Sequence, residues 1–273
     1  MFKRILVPLD NSALAERALA PAALLAKRCE ADLLLVGATR ERAFPGLLTG
    51  AAPRQTDKIE RYLSVAATLL SAEGVQVDTA VLSERPAKGI AAHSEDHDVD
   101  LIVMATHGRT GLESLLHSSV TWDVLGHSPV PVLALKPPTE EEDRQSLPRL
   151  PRFLTEPASP IIVPLDGSQL AERALPLAQK FAWLYAHPLL LVRAVALPYL
   201  AGGVIDYPMV LTSLREYSLE ESGAYLKRKQ EEIACTGLEV ETESMFGEAA
   251  ACIEACVQDY HAGLVVMASR GRG

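Results

Sequence analysis

The sequence predicts an α/β protein built from two copies of one unit, each a doubly wound parallel sheet. Three observations predict it. The chain repeats itself: Ile5-Leu6-Val7-Pro8-Leu9-Asp10-Asn11-Ser12, followed by Leu14-Ala15-Glu16-Arg17-Ala18-Leu19, returns as Ile161-Ile162-Val163-Pro164-Leu165-Asp166-Gly167-Ser168, followed by Leu170-Ala171-Glu172-Arg173-Ala174-Leu175. Self-similarity of that length means a duplicated domain. Short aliphatic runs alternate with stretches of helical period, the pattern of strand–helix–strand units. The apolar mass is aliphatic, 48% hydrophobic residues with only 5% aromatic, which suits strands covered by helices on both faces.

Taken in order, residues 3–9 form a short apolar strand, and residues 12–29 carry helical periodicity behind Ser12, a good N-cap. Residues 32–38 are a second strand. A loop with Pro45 and Gly46 leads to a helix near 55–73 that stops at Gly74. Residues 75–82 are a third strand. Pro86 opens a helix to about His97, because the first helical position needs no N–H and suits the fixed φ of proline. Asp100 precedes a fourth strand, 101–106. A glycine-containing loop leads to a helix near 118–127, and Val130–Leu135 is the fifth strand. The expected unit is flavodoxin-like, or Rossmann-like, with strand order 3-2-1-4-5.

The match continues without a gap from Leu33-Leu34-Leu35-Val36 onto Leu189-Leu190-Leu191-Val192. Val103-Met104-Ala105 meets Val266-Met267-Ala268 at a larger offset, so the second copy holds a short insertion between about Ala196 and Thr212. Lys136-Pro137-Pro138-Thr139 opens a polar, proline-containing stretch to about Ser159, of the composition of a linker. The expected domains are 1–137 and 160–273, joined by 138–159. The sequence given ends at Gly273, before a last helix and fifth strand of the second unit.

A net charge of −9 argues against nucleic acid, whose phosphate backbone rewards clustered Lys and Arg. It leaves room for a small phosphorylated ligand, which backbone N–H groups and one or two cations can hold. The opening MFKRILVPLD is too short and too quickly polar for a signal peptide, and no apolar run suits a membrane span, so the expectation is a cytoplasmic protein. The four cysteines form no CxxC; Cys252 and Cys256, one helical turn apart, read as small buried residues. His93 and His97 have ligand spacing, but Glu95, Asp96 and Asp98 around them suit a solvated helix end.

In such a sheet ligands bind beyond the carboxyl ends of the strands, where strand order reverses. Two strand ends qualify: Pro8-Leu9-Asp10-Asn11-Ser12, and Met104-Ala105-Thr106-His107-Gly108-Arg109-Thr110-Gly111 leading into Ser118-Ser119-Val120-Thr121. Gly108 and Gly111 allow close backbone approach. Ser118, Ser119 and Thr121 bring hydroxyls to a helix start, with its free N–H groups and positive dipole end. Arg109 adds positive charge, and His107 lies within reach of a phosphate in that loop. Each feature also has a bland reading, since glycine loops and serine caps turn chains everywhere. Asp10 has two: a ligand for a nucleotide-bound metal ion, or a brace for the first turn.

At these residues the chain resembles the universal stress protein family, over nearly its whole length and twice. The VPLD-x-S opening, the MATHGRTG loop and the SVTxxVL helix with its PVPVL strand carry the resemblance. Nucleotide-binding members have the pattern Gly-x2-Gly-x9-Gly-Ser/Thr, which falls here on Ala105, Gly108, Ser118 and Ser119; two of the three glycines are replaced and the spacing is kept. The resemblance implies that Pro8, Leu9, Asp10 and Ala38 face adenine and ribose. It sets Met104 and Ala105 beside the ribose. Gly108, Ser118, Ser119, Val120 and Thr121 would wrap the phosphates, with His107 and Arg109 between. The implied ligand is ATP, or AMP or ADP, with Mg²⁺ as its companion. The resemblance also implies pseudo-two-fold packing of the units and pairing through fifth strands, so a homodimer through Val130–Leu135 is expected. In the second unit Pro164, Asp166 and Ala194 match the adenine side, and Ala268-Ser269-Arg270-Gly271 the loop start.

Enzyme motifs of related architectures are missing from the sequence. There is no Walker loop and no Gly-x-Ser-x-Gly elbow, and no nucleophile stands with its base. The expectation is a stress-response regulator that binds an adenine nucleotide in its first domain, with at most slow ATP hydrolysis. The competing expectation is a dimerising interaction protein that binds none.

Overall fold

The computed structural model describes residues 1–38, 55–106, 120–136, 150–196 and 208–269. They fall into two units, Met1–Leu150 and Pro151–Ser269. The first unit runs β1 (Arg4–Leu9), α1 (Ala13–Glu16), α2 (Leu19–Cys29), β2 (Asp32–Ala38), α3 (Gln55–Ala72), β3 (Val77–Leu82), α4 (Pro86–Asp96), β4 (Leu101–Ala105), α5 (Val120–His127) and β5 (Val132–Leu135). Its strands are all parallel, in the order β3-β2-β1-β4-β5. The loop with Pro45 and Gly46 and the glycine loop after β4 lie outside the described residues.

Both faces of this sheet are covered, which explains the near-continuous aliphatic runs. Leu6, Leu34, Val36, Ile102 and Met104 point to one face and pack with Ile90 of α4 and Val124 of α5. Their neighbours Ile5, Val7, Leu33 and Leu35 alternate to the other face, the side of α2 and α3, and are fully buried. At the amino ends of the strands, the Asp100 carboxylate accepts from the Lys3 and Arg4 backbone N–H groups, at 2.6 and 3.1 Å. This fixes the start of β1 against β4.

The helix expected over 12–29 is two helices. Arg17 and Ala18 leave the α-helical ladder: their N–H groups donate to Leu14 and Ala15 carbonyls three residues back. Pro21 causes the break, because it has no N–H for the Arg17 carbonyl and its ring crowds that carbonyl. The second unit breaks at the same place, where Pro176 stands one position nearer the break than Pro21 and has no N–H for the Glu172 carbonyl.

The second unit runs α6 (Arg152–Thr155), β6 (Ile161–Pro164), α7 (Gln169–Glu172), α8 (Leu175–Tyr185), β7 (Leu189–Val195), α9 (Pro208–Ala234), β8 (Val240–Phe246), α10 (Ala249–Asp259) and β9 (Leu264–Val265). Its described strands pair in the order β8-β7-β6-β9, that of the first four strands of unit one. Leu33 pairs with Val77, a span of 44 positions, and Leu189 with Val240, a span of 51, so the second crossover is seven residues longer. Its helix, α9, has 27 residues against 18 in α3. Cys252 and Cys256 are buried on α10, and all four cysteines are free. No described helix is long and apolar enough to cross a membrane.

Within the stretch of linker-like composition, residues 152–155 form α6, and Phe153 is 2% exposed in the core of unit two. The ring meets Phe181 edge-on, with centroids 5.9 Å apart, and its carbonyl accepts from buried His187 Nε2 at 2.7 Å. That bond fixes the proton on Nε2. One buried aromatic in a polar run is invisible to averaged composition. Gly263 makes the fit possible, since a Cβ there would stand 2.5 Å from Phe153 N and 2.9 Å from Ser159 Oγ.

Gly263→Ala is therefore expected to cost about 1–3 kcal/mol by displacing α6, read as a lower midpoint in urea. Ala186 ends α8 in the left-handed conformation, φ 55°, as Glu30 does after α2. Ala186→Gly is expected to stabilise by about 0.5–1 kcal/mol, because glycine alone adopts that conformation without strain; thermal unfolding checks the sign.

Candidate functional site

The site begins where two neighbouring strands part. β1 pairs with β4 only at Ile5–Leu101 and Leu6–Ile102. Beyond that, β1 continues along β2 to Leu9–Gly37, and β4 along β5 to Ala105–Leu135. Connections leave β1 and β4 toward opposite sides of the sheet, so this is the topological switch point, with a crevice at its carboxyl end. Leu9–Asp10 forms one lip and Ala105–Thr106 the other.

The first lip is a built turn. The Asp10 carboxylate accepts from the Ser12 N–H at 3.0 Å, and Asn11 is left-handed, φ 64°, a conformation that asparagine tolerates. Ser12 Oγ then accepts from the Ala15 N–H at 3.1 Å and caps α1. Asp10 itself is exposed, Pro8 and Ala38 are half-buried, and Leu9 is buried. The bracing reading of Asp10 is thus directly visible, and one face of its carboxylate remains open to solvent.

The second lip is held from β5 and α5. Thr106 donates from its N–H and its hydroxyl to the Leu135 carbonyl, at 2.9 and 3.2 Å. Buried Thr121 donates its hydroxyl to the Ala105 carbonyl at 3.2 Å. Thr121 therefore fastens the first turn of α5 to the end of β4. Met104 is buried in the core, so its backbone rather than its side chain borders the crevice. Val120 is 39% exposed at the start of α5. Of the residues singled out in the sequence, the structure brings together Pro8, Leu9, Asp10, Ala38, Met104, Ala105, Val120 and Thr121 around the carboxyl end of the sheet. His107, Gly108, Arg109, Ser118 and Ser119 lie outside the described residues.

Two residues were not legible from motifs, one near the site and one at the corresponding place in the second unit. Tyr62 on α3 donates its hydroxyl to Glu16 Oε1 at 3.0 Å, joining the crossover helix to the end of α1. Tyr225 on α9 does the same to Glu172 at 2.9 Å in the second unit. The signal was present: Tyr62 and Tyr225 share the offset that aligns Val103 with Val266. Burial, and next the hydrogen-bonded carboxylate, push both phenols up from the ordinary tyrosine range.

The second unit repeats the turn. Asp166 accepts from the Ser168 N–H at 2.8 Å, Gly167 is left-handed at φ 87°, and Ser168 caps α7. Beside it, Arg193 stands where the first unit has Gly37. Its guanidinium lies 5.0 Å from the Tyr225 ring centre and 3.5 Å from where a Cβ on Gly167 would sit. In unit one that space belongs to α3, since a Cβ on Gly37 would collide with Ile59.

The remaining candidates are structural. His93 and His97 stack at 4.4 Å, and burial together with the His97 ring pushes the His93 imidazole pKa down. Among the described residues no three His, Cys, Asp or Glu side chains gather as a metal site. A groove of about 470 Å³ between α2 and α3 is lined mainly by Ala and Leu side chains, with Leu69 65% exposed. It lies on the helical face, with Glu16 and Tyr62 among its lining residues.

Comparison with known proteins agrees with this architecture. The model of the universal stress protein family matches residues 1–136 and 158–273. Universal stress protein MJ0531 of Methanocaldococcus jannaschii is 30% identical over 146 residues, covering 52% of this chain and 86% of the relative. Universal stress protein YxiE of Bacillus subtilis is 31% identical over 148 residues, 50% of this chain and all of the relative. Among solved structures, a universal stress protein from Archaeoglobus fulgidus superposes with a TM-score of 0.69 at 20% identity, over 99% of this chain and 86% of that one.

The tyrosine shifts give a pH prediction. Tyr62 and Tyr225 hold their protons more tightly folded than unfolded. Their contribution to stability is intact below the ordinary tyrosine value of about pH 10 and is lost as pH rises above it. Ultraviolet titration of phenolate is expected to show Tyr62→Phe removing one late-ionising tyrosine.

Proposed function

The chain belongs to the universal stress protein family, and from that premise we propose that its first unit binds an adenine nucleotide, ATP foremost, at the carboxyl end of β1 and β4. The observation that carries the reading is the parting of β1 from β4 after Leu6–Ile102, with Asp10 on one lip and Ala105 on the other. The crevice suits the base and ribose: Ala38 and Ala105 are small and half-buried, and Asp10 offers an exposed carboxylate to hydroxyls or to a metal ion on the nucleotide. The phosphates would lie toward the loop of Gly108 and Arg109 and the helix start at Ser118 and Ser119. Backbone N–H groups and the charge of Arg109 would be the expected phosphate partners there. The spacing of that loop keeps the family pattern.

The sequence carries neither a Walker loop nor a Gly-x-Ser-x-Gly elbow. The protein acts as a nucleotide-dependent switch or partner-binding module, with any ATP hydrolysis slow. Such a switch needs only that the ligand bind one conformation better than another. Ala105 and Ser118, in place of two family glycines, favour a second reading, an interaction module that binds no nucleotide.

Calorimetric titration of the full chain with ATP, ADP and AMP, with and without Mg²⁺, separates the two readings. Saturable heat is expected, weakened about tenfold or more by Asp10→Ala through the loss of a charged contact. Ser118→Gly, which removes a Cβ from the phosphate side, is expected to tighten binding. Absence of heat at roughly millimolar ligand would establish the second reading.

A further inference from the structure

We infer that Tyr62 is a positioning residue for the strand-end crevice: through Glu16 it holds the Asp10–Ser12 turn in place. The inference rests, for its functional part, on the nucleotide reading above. The turn needs an outside fastening for a physical reason. α1 is only four residues long and buries none of them. One helical turn fixes several dihedrals for very few hydrogen bonds and is unstable alone. Its internal bonds, Ser12 Oγ to the Ala15 N–H and Ser12 carbonyl to the Glu16 N–H, at 3.1 Å each, are local and open together.

Glu16 ends this turn, and its carboxylate accepts the Tyr62 hydroxyl at 3.0 Å. Tyr62 sits on α3, the long helix that packs on β2 and β3 through buried Leu63, Ala66 and Leu70. The bond therefore ties a marginal turn to a rigid element. Asp10 lies near enough to act on the same phenol electrostatically. The end of the turn and the tyrosine are thus in contact although they are 46 positions apart in sequence.

The second unit is an internal replicate. α7 is also four residues long and buries none, and its Glu172 accepts Tyr225 at 2.9 Å. The glutamates correspond at one offset of the repeat and the tyrosines at the other, on opposite sides of the seven-residue insertion. The pair has kept its contact across that change in length. In unit two Lys229 reinforces it with an ion pair to Glu172 at 3.1 Å. Ala66 occupies that position in unit one, so Glu16 depends more on its tyrosine.

Two measurements on the full chain test this, with Tyr62→Phe, Glu16→Gln and Tyr225→Phe. The first is amide hydrogen exchange without ligand. Tyr62→Phe is expected to speed exchange at Ala15 and Glu16 about three- to tenfold, the loss of one hydrogen bond to a charged group partly exposed to water. Glu16→Gln keeps an acceptor but loses its charge, and speeds exchange less than Tyr62→Phe does. Tyr225→Phe speeds exchange at Ala171 and Glu172 and leaves the first unit unchanged. The second is ATP titration, in which Tyr62→Phe weakens binding by a similar factor while Tyr225→Phe does not. Unchanged exchange at Ala15 and Glu16 overturns the inference. So does faster exchange with full ATP affinity, which would make the bond a fastening without consequence for the site. If the wild-type chain binds no adenine nucleotide, the nucleotide reading fails, and the exchange arm alone decides the fastening.

Discussion

The structure turns on the burial of β1. Ile5, Leu6 and Val7 are fully inaccessible, and the strand has hydrogen-bonded neighbours on both sides. A central strand has no freedom to shift its register, because a slip of one residue would exchange its two buried faces. The chain can leave it only at the carboxyl end, and there it must turn sharply over the first helix. The Asp10–Ser12 turn and the short α1 follow from that necessity. So does the crevice, since β4 pairs with β1 over two residues before each strand follows its other neighbour.

The duplicated unit shows which features the fold requires and which it tolerates. Both copies keep the strand-end aspartate, the left-handed residue after it, the serine cap and the tyrosine–glutamate bond. The packing under the crossover helix differs. Gly37, Ile59 and Val81 in unit one give way to Arg193, Ser222 and Ser244 in unit two. Ser222 is 1% exposed and bonds Ser244 at 2.9 Å, and the Arg193 guanidinium lies against Tyr225. A buried polar group is tolerated there because it is paired. One sheet surface is thus packed apolar in one copy and hydrogen-bonded in the other, with the strand order unchanged.

The outer faces of α2 and α3 differ from those of α8 and α9 as well. Exposed Leu24, Val65 and Leu69 of the first unit correspond to Lys180, Arg228 and Glu232 of the second. Strand pairing fixes none of these positions, since they point away from the sheet. The inward positions, Leu63 and Leu226 or Leu70 and Ile233, keep one character in both copies.

Much of this was written in local sequence. Aliphatic runs located the strands, Pro86 and Gly74 marked a helix start and a helix end, and the repeat announced two units of one topology. These are short-range signals: backbone sterics and side-chain periodicity act over a few residues. The Asp10 turn was legible for the same reason. The break at Arg17–Ala18 does not show in helical periodicity, which continues through it; its local mark is Pro21. Tertiary structure alone decided the rest. It set the Tyr62 hydroxyl on Glu16, turned the Thr121 hydroxyl to the Ala105 carbonyl, and buried Phe153 of a linker-like stretch against Phe181 and His187. Each of these contacts joins residues on different elements, and their partners are set by how helices lie on the sheet, which no local pattern encodes.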